Sequence, residues 1–417
     1  VAGALVGALG ATLSVLTGTS MVPWLVASAV VGWAGLLARR HHRLLDRLGP
    51  PPAVSAEGVT LTVAALVALL PVALVDLPAT VSDARSIWWL HAAWFRAGGR
   101  LAAQAMEAPA YGGSLPSHPP LVPSVIAAVW HVDGAYDRAV AIRVSEVITA
   151  YAAAALGFFT AQVLRLTGGI AVLVAGAATW LAWSAKVSVG LNGLVDLTWA
   201  LLFVTGALLW LVADTGRRTL TAGALFIAAA VLTKSEGQVA GLLVAVLATV
   251  RLRATWRRAV VVWAGVLAPI ALWRTVVTPT RFDTGDLSLL PEVLQPGTLT
   301  WTRFTTALDT LASHLGPLVG LGAVVVLAAA WLLRGRDTPV SPRSLLTLLG
   351  LAGALTVVNA AIYAIRPEEM DVLVQSAAYR SVVVTRLLVT IAVVLATVSV
   401  HRSGDRVAAL ASPALTG

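Results

Sequence analysis

Three short stretches of this chain hold side chains able to do chemistry. From Val81 to Pro123 runs VSDARSIWWLHAAWFRAGGRLAAQAMEAPAYGGSLPSHPPLVP, a polar, aromatic-rich segment set between long apolar runs. Its first acid, Asp83, stands a few residues beyond an apolar run, at headgroup level with partial access to water. A carboxylate there can take the proton of an attacking hydroxyl if burial and neighbours hold its pKa near working pH. Asp is also a favoured helix N-cap, so Asp83 could simply cap the amphipathic segment that follows. The second stretch, LTKSEG, puts Lys234 and Glu236 at the end of an apolar run. The ammonium is a compact charge that can sit against a phosphate, with Glu236 balancing it or contacting a sugar hydroxyl. A snorkelling interfacial lysine is the plainer alternative. Arginine snorkels as well, however, and this arginine-rich chain uses lysine only at Lys186 and Lys234. The third stretch, QSAAYRSVVVTR, places Arg380 and Arg386 at the start of the last apolar run. Six residues apart on a helix, they face different ways. Arg380, beside Gln375, Ser376 and Tyr379, is the choice as second phosphate contact, with Arg386 a further phosphate-binding candidate.

Supporting groups surround these three. His91 and Arg96 lie on the more polar side of SIWWLHAAWF, whose tryptophan density suits a helix lying flat in a membrane interface, with Arg85 immediately before it. Prolines on both sides hold His118 in a rigid, extended frame. Asp196, close inside the outer end of its apolar run beside Asn192 and Gly193, is a membrane-embedded carboxylate and hence a functional candidate. Arg143 and Glu146, three apart on one helix, can neutralise each other. Asp83, Glu107, His91 and His118 are by type able to ligate a divalent metal, but their spacings match no metal motif. No metal is therefore assigned, and no cofactor is certain.

These groups need elements to hold them, and the composition says which kind. The chain of 417 residues is 58% hydrophobic and only 12% charged, with a mean hydropathy of +0.85, which points to an all-α polytopic membrane protein. Without cysteine there are no disulfides or thiolate metal sites. The net charge of +9 falls in short clusters between apolar spans, which suits membrane orientation and anionic lipid and argues against nucleic acid. The apolar start has neither a charged n-region nor a cleavage site, and is expected to be a span rather than a removed signal.

About twelve spans are expected, each close to the ~20 residues a helix needs to cross the hydrocarbon core. They lie near 2–17, 21–38, 59–77, 139–163, 170–185, 194–213, 219–233, 238–250, 259–276, 316–333, 344–364 and 385–400, with a long outer loop over 277–314. Taken alternately, they put every dense arginine cluster, such as RRHHRLLDR and RLRATWRR, on one side, which marks it as cytoplasmic. Asp83, Arg85, His91, Glu107, His118, Asp133, Lys186, Lys234, Glu236, Arg274, Glu368, Glu369, Arg380 and Arg386 then share the outer side. Three segments are expected: an N-terminal hairpin with a basic cytoplasmic loop over 1–58, a catalytic transmembrane unit over 59–400, and a cytoplasmic tail over 401–417.

The outward loop after an early span, opening on an acid and closing on a proline-bound motif, is similar to the GT-C superfamily of integral membrane glycosyltransferases. Within it, DARSIWWLHA, SHPPLVP, TKSEG and QSAAYR resemble bacterial relatives of the protein O-mannosyltransferases and the lipid A aminoarabinose transferase. That resemblance covers roughly 59–400 and implies a polyprenyl phosphate carrying one sugar as donor. It also implies inverting transfer to a glycan, glycolipid or protein hydroxyl outside the bacterial cytoplasmic membrane. The family's catalytic acid in the first outer loop maps onto Asp83. The paired acids common in protein mannosyltransferases are absent, since Ala84 follows Asp83, and the two spans before the loop are extra. The rival class is a secondary transporter or lipid-linked sugar flippase, which usually shows repeated halves and midplane polar sites. No internal repeat is evident, and the polar groups gather at one face.

Overall fold

Runs of Ala, Val and Leu punctuated by Gly and Pro leave little choice but helix where water is scarce, since each backbone amide must find its partner within its own segment. In the computed structural model every regular element among the described residues is helical. Those residues are 2–27, 55–74, 83–108, 118–184, 191–213, 216–252, 255–273, 300–365 and 377–411; the side chains of 2, 107 and 405–411 are not included. The helices are α1 (Ala2–Thr17), α2 (Ala56–Leu74), a π-helical turn over Ala84–Trp89 that runs into α3 (Leu90–Ala97), α4 (Gly99–Glu107), α5 (Leu121–Asp133), α6 (Arg138–Val163) and α7 (Gly168–Ser184). Then come α8 (Asp196–Leu211), α9 (Arg217–Val231), α10 (Ser235–Arg251), α11 (Trp256–Ala271), α12 (Trp301–Leu315), α13 (Pro317–Leu332), α14 (Pro342–Ile365) and α15 (Val383–Ala411).

Among the described residues, four helices are long and apolar enough to cross a membrane: α2, α6, α14 and the stretch Ala377–Gly404. The bent pair α12 and α13, which meet at 84°, makes a fifth if counted as one span. Helices α1, α5, α7 and α8 are apolar but shorter.

The centre of the bundle is α8. All sixteen of its residues are buried, and it packs on α6, α9, α10, α14 and α15. Its composition, DLTWALLFVTGALLWL, is apolar on every side except at its first residue. A helix with no polar stripe has nothing to turn toward water, so it settles in the interior. Around it, close helix contacts rest on small residues. A Cβ built on Gly157 of α6 would lie 2.0 Å from the Thr179 hydroxyl and 2.4 Å from the Ala175 carbonyl of α7. Backbone cannot swing aside as a long side chain can. Gly157→Ala is therefore expected to push α6 and α7 apart and cost about 1–3 kcal/mol, read as a lower Tm in detergent.

Two expectations need correction. SIWWLHAAWF does not lie with an open face in an interface: Trp88, Trp89, Trp94 and Phe95 are all buried, and α3 packs on α5. With aromatic rings around most of the helix, burial inside protein removes more apolar surface than one-sided contact with lipid. The long outer loop over 277–314 contains a helix, α12, capped where the Thr300 hydroxyl accepts from the Arg303 amide at 3.3 Å and ended by Gly316 at φ +75°. Helix α1 packs against α4 and α5. The expectations for Lys186, Arg274, Glu368, Glu369 and Gln375, and for the side chain of Glu107, fall outside the described residues.

Candidate functional site

Five charged side chains from four parts of the chain meet at one end of the bundle. Asp83 sits just before the π-helical turn with helical backbone angles, φ −58° and ψ −38°, and its side chain caps nothing. Its Oδ2 instead accepts from the Arg380 guanidinium, 297 residues away. The pair is partly hydrated, with the Asp83 side chain 35% and the Arg380 side chain 20% exposed. Deeper in, the Lys234 ammonium donates to Asp196 Oδ1 at 2.6 Å and lies 2.7 Å from Glu236 Oε1. Burial alone would push the Lys234 ammonium down; the Asp196 and Glu236 carboxylates outweigh that and hold it above the ordinary lysine value. The two groups form one electrostatic unit, because the Arg380 charge acts on both Asp196 and Lys234. Three carboxylates against two cations leave one net negative charge.

Local sequence explains how each member is held. Lys234 is the extended residue between α9 and α10, at φ −153° and ψ 152°. The turn carrying it is tied to the proline frame by a hydrogen bond from the Leu121 amide to the Leu232 carbonyl at 2.8 Å. Within that frame His118 stacks on Trp88 at 5.3 Å and its Nδ1 lies 3.4 Å from the Ser235 hydroxyl. Asp196 opens α8 immediately after a turn through Gly193 at φ +82°. A Cβ on Gly193 would stand 3.1 Å from Ala84 Cβ and 3.4 Å from the Trp89 ring, so a glycine there lets the Asp83 turn press against the Asp196 turn. Arg380 lies in the helical stretch before α15. That stretch is held to α14 by the Asn359 amide donating to the Ser381 carbonyl at 3.3 Å and by the Tyr363 hydroxyl bonded to that of Ser381.

The remaining candidates stand as follows. Arg386 points elsewhere than Arg380, as their spacing requires: it donates to the His314 carbonyl and lines an apolar groove of about 640 Å³ between α13 and α15. His91 is fully buried and stacks on Trp94 at 4.8 Å. Arg85 is exposed on the π-helical turn. Arg96 donates to the Gly134 carbonyl at 2.6 Å and covers the Tyr136 ring. Arg143 and Glu146 pair at 2.9 Å. Among the described residues no three His, Asp or Glu side chains are grouped closely enough to hold a metal ion.

Sequence reasoning missed the direct Lys234–Asp196 bond and the part played by Ser235. A signal for the first existed, since each residue stands at the outer end of its apolar run, where a buried lysine needs an acid. The chain matches no known family model, no curated protein and no solved structure.

Proposed function

We propose that the chain is an inverting glycosyltransferase of GT-C type, with about twelve membrane-crossing helices in a bacterial cytoplasmic membrane and its site facing outward. The donor is a polyprenyl phosphate carrying one sugar, and the acceptor hydroxyl belongs to a glycan, glycolipid or protein. The observation that supports it best is the gathering of Asp83, Arg380, Lys234, Asp196 and Glu236 at one end of the bundle.

In this reading the guanidinium of Arg380 orients the Asp83 carboxylate. The other carboxylate oxygen of Asp83 takes the proton of the acceptor hydroxyl as the hydroxyl's own oxygen attacks the anomeric carbon. The bond from that carbon to the phosphate oxygen breaks, and the polyprenyl phosphate leaves with the electron pair. Charge grows on the departing phosphate, so fixed cations matter most there. Lys234 and Arg380 are the cations placed to meet it, and Glu236 and His118 stand beside them to contact sugar hydroxyls. The sugar passes through an oxocarbenium-like state, as in glycosidases.

The test is transfer of radiolabelled sugar from polyprenyl phosphate by protein in liposomes, with mannose, arabinofuranose and galactosamine donors. The expected result is labelled acceptor above the level of mock liposomes. Movement of labelled lipid between leaflets without transfer would instead identify a flippase, and the enzyme reading would fall.

A further inference from the structure

Three buried tryptophans of the bundle give their indole N–H groups to backbone carbonyls. Trp183 donates to the Ala68 carbonyl at 2.9 Å, Trp210 to that of Leu220 at 3.1 Å and Trp130 to that of Asp137 at 2.6 Å. Trp89 does not follow them. It is 5% exposed, and among the described residues it is the one tryptophan whose Nε1 is both buried and without a hydrogen-bond partner. A buried donor left unpaired is destabilising, and each such case in a folded protein calls for a reason.

Its position supplies one. A Cβ built on Gly193 would stand 3.4 Å from Trp89 Cζ2, 3.8 Å from Cε2, the ring atom bonded to Nε1, and 3.1 Å from Ala84 Cβ. The N–H edge of the indole therefore lies where the Asp83 turn meets the turn leading into Asp196. Another unfilled donor borders Asp83: Arg380 gives Nη1 to that carboxylate, while its Nε is buried and has no partner among the described residues.

The charge balance decides what these donors are for. With three carboxylates against two cations the site carries one net negative charge, so net attraction cannot hold a phosphate there. Directed N–H groups must hold it, as in other phosphate sites. Arg380 can serve both partners at once, because Nη1 can stay on Asp83 while Nε gives to a phosphate oxygen. The indole adds a neutral donor beside it. Gly193, without a side chain, leaves room for a ligand to approach that edge once the turn shifts. We infer that the Trp89 N–H is a phosphate-binding group of this site, sharing the lipid donor's phosphate with Arg380 Nε; this role presupposes the polyprenyl-phosphate donor proposed above.

Native mass spectrometry of the detergent-purified full chain, titrated with polyprenyl phosphate, polyprenol or polyprenyl phosphomannose, tests it. The wild type should prefer polyprenyl phosphate to polyprenol, and Trp89→Phe should shrink that preference by about 10- to 100-fold, the value of one hydrogen bond to a charged group. Taking the ratio of the two lipids within each variant cancels any general loss of packing. Trp183→Phe strands the Ala68 carbonyl instead, so it should lower the Tm and keep the preference. An unchanged preference in Trp89→Phe, or an equal loss in Trp183→Phe, overturns the assignment while leaving the donor standing. A loss confined to the phosphomannose would assign the N–H to the sugar and overturn it as well. A wild type that does not prefer polyprenyl phosphate removes both this role and the proposed donor.

Discussion

Asp83→Asn is expected to lower sugar transfer by roughly 10²- to 10⁴-fold, the usual contribution of a positioned general base, with little change in folding. Asparagine has nearly the shape of aspartate, and its amide oxygen can still accept from Arg380, but it cannot take a proton from the acceptor. The folding cost stays small because both partners are partly hydrated, and pairs of that kind contribute about 1 kcal/mol or less. Exchanging the charges, Asp83→Arg with Arg380→Asp, separates the ion pair's structural part from its chemical one. The exchanged protein should recover the Tm lost by either single change and remain inactive. An Asp83→Asn protein transferring sugar near the wild-type rate would end the mechanism, whatever its stability.

Lys234→Met should destabilise the protein by about 3–5 kcal/mol, the range for a buried pair that loses one partner. The Asp196 and Lys234 side chains are only 3% and 11% exposed, so the stranded Asp196 carboxylate cannot recruit water cheaply. Adding Asp196→Asn to Lys234→Met should recover most of the loss, because it removes the stranded charge, while Glu236, at 25% exposure, can hydrate. Asp196→Asn alone should cost less than Lys234→Met, because Lys234 keeps Glu236. The double variant also isolates function from folding. Stable but without its ammonium, it should bind the polyprenyl phosphosugar about 10- to 100-fold more weakly, the value of one charge-assisted hydrogen bond. Thermal unfolding in mixed micelles and donor titration read the two effects separately, and unchanged donor affinity in the rescued protein removes Lys234 from the phosphate site.

The raised proton affinity of Lys234 sets the direction of its pH response. A lysine held above its ordinary value contributes stability that is complete below that value and is lost only as pH rises through the higher folded one. The pair should therefore persist through neutral and mildly alkaline pH.

Individual residues show how far sequence reasoning carried. Apolar runs expected at 59–77, 139–163 and 344–364 became α2, α6 and α14 with ends shifted by a few residues, because continuous apolar sequence and glycine or proline breaks act locally. Helix α12 escaped because WTRFTTALDTLASHL is polar enough to pass for loop; its period emerges only once Thr300 and Gly316 are known to bound it. The aromatic run after Asp83 was assigned to an interface because tryptophan density is equally compatible with lipid and with protein, and which of the two it meets depends on what packs opposite.

By itself, then, the sequence determined the long apolar helices such as α2, α6 and α14, and the candidates Asp83, Asp196, Lys234 and Arg380. Each of those follows from residue type and its neighbours within a turn or two. Only the tertiary structure decided that Asp83 meets Arg380, that Asp196 meets Lys234, and that Arg386 turns away to a groove. Partners separated by 297 and 38 residues are brought together by the packing of whole helices around α8, and no local pattern encodes which helix ends become neighbours.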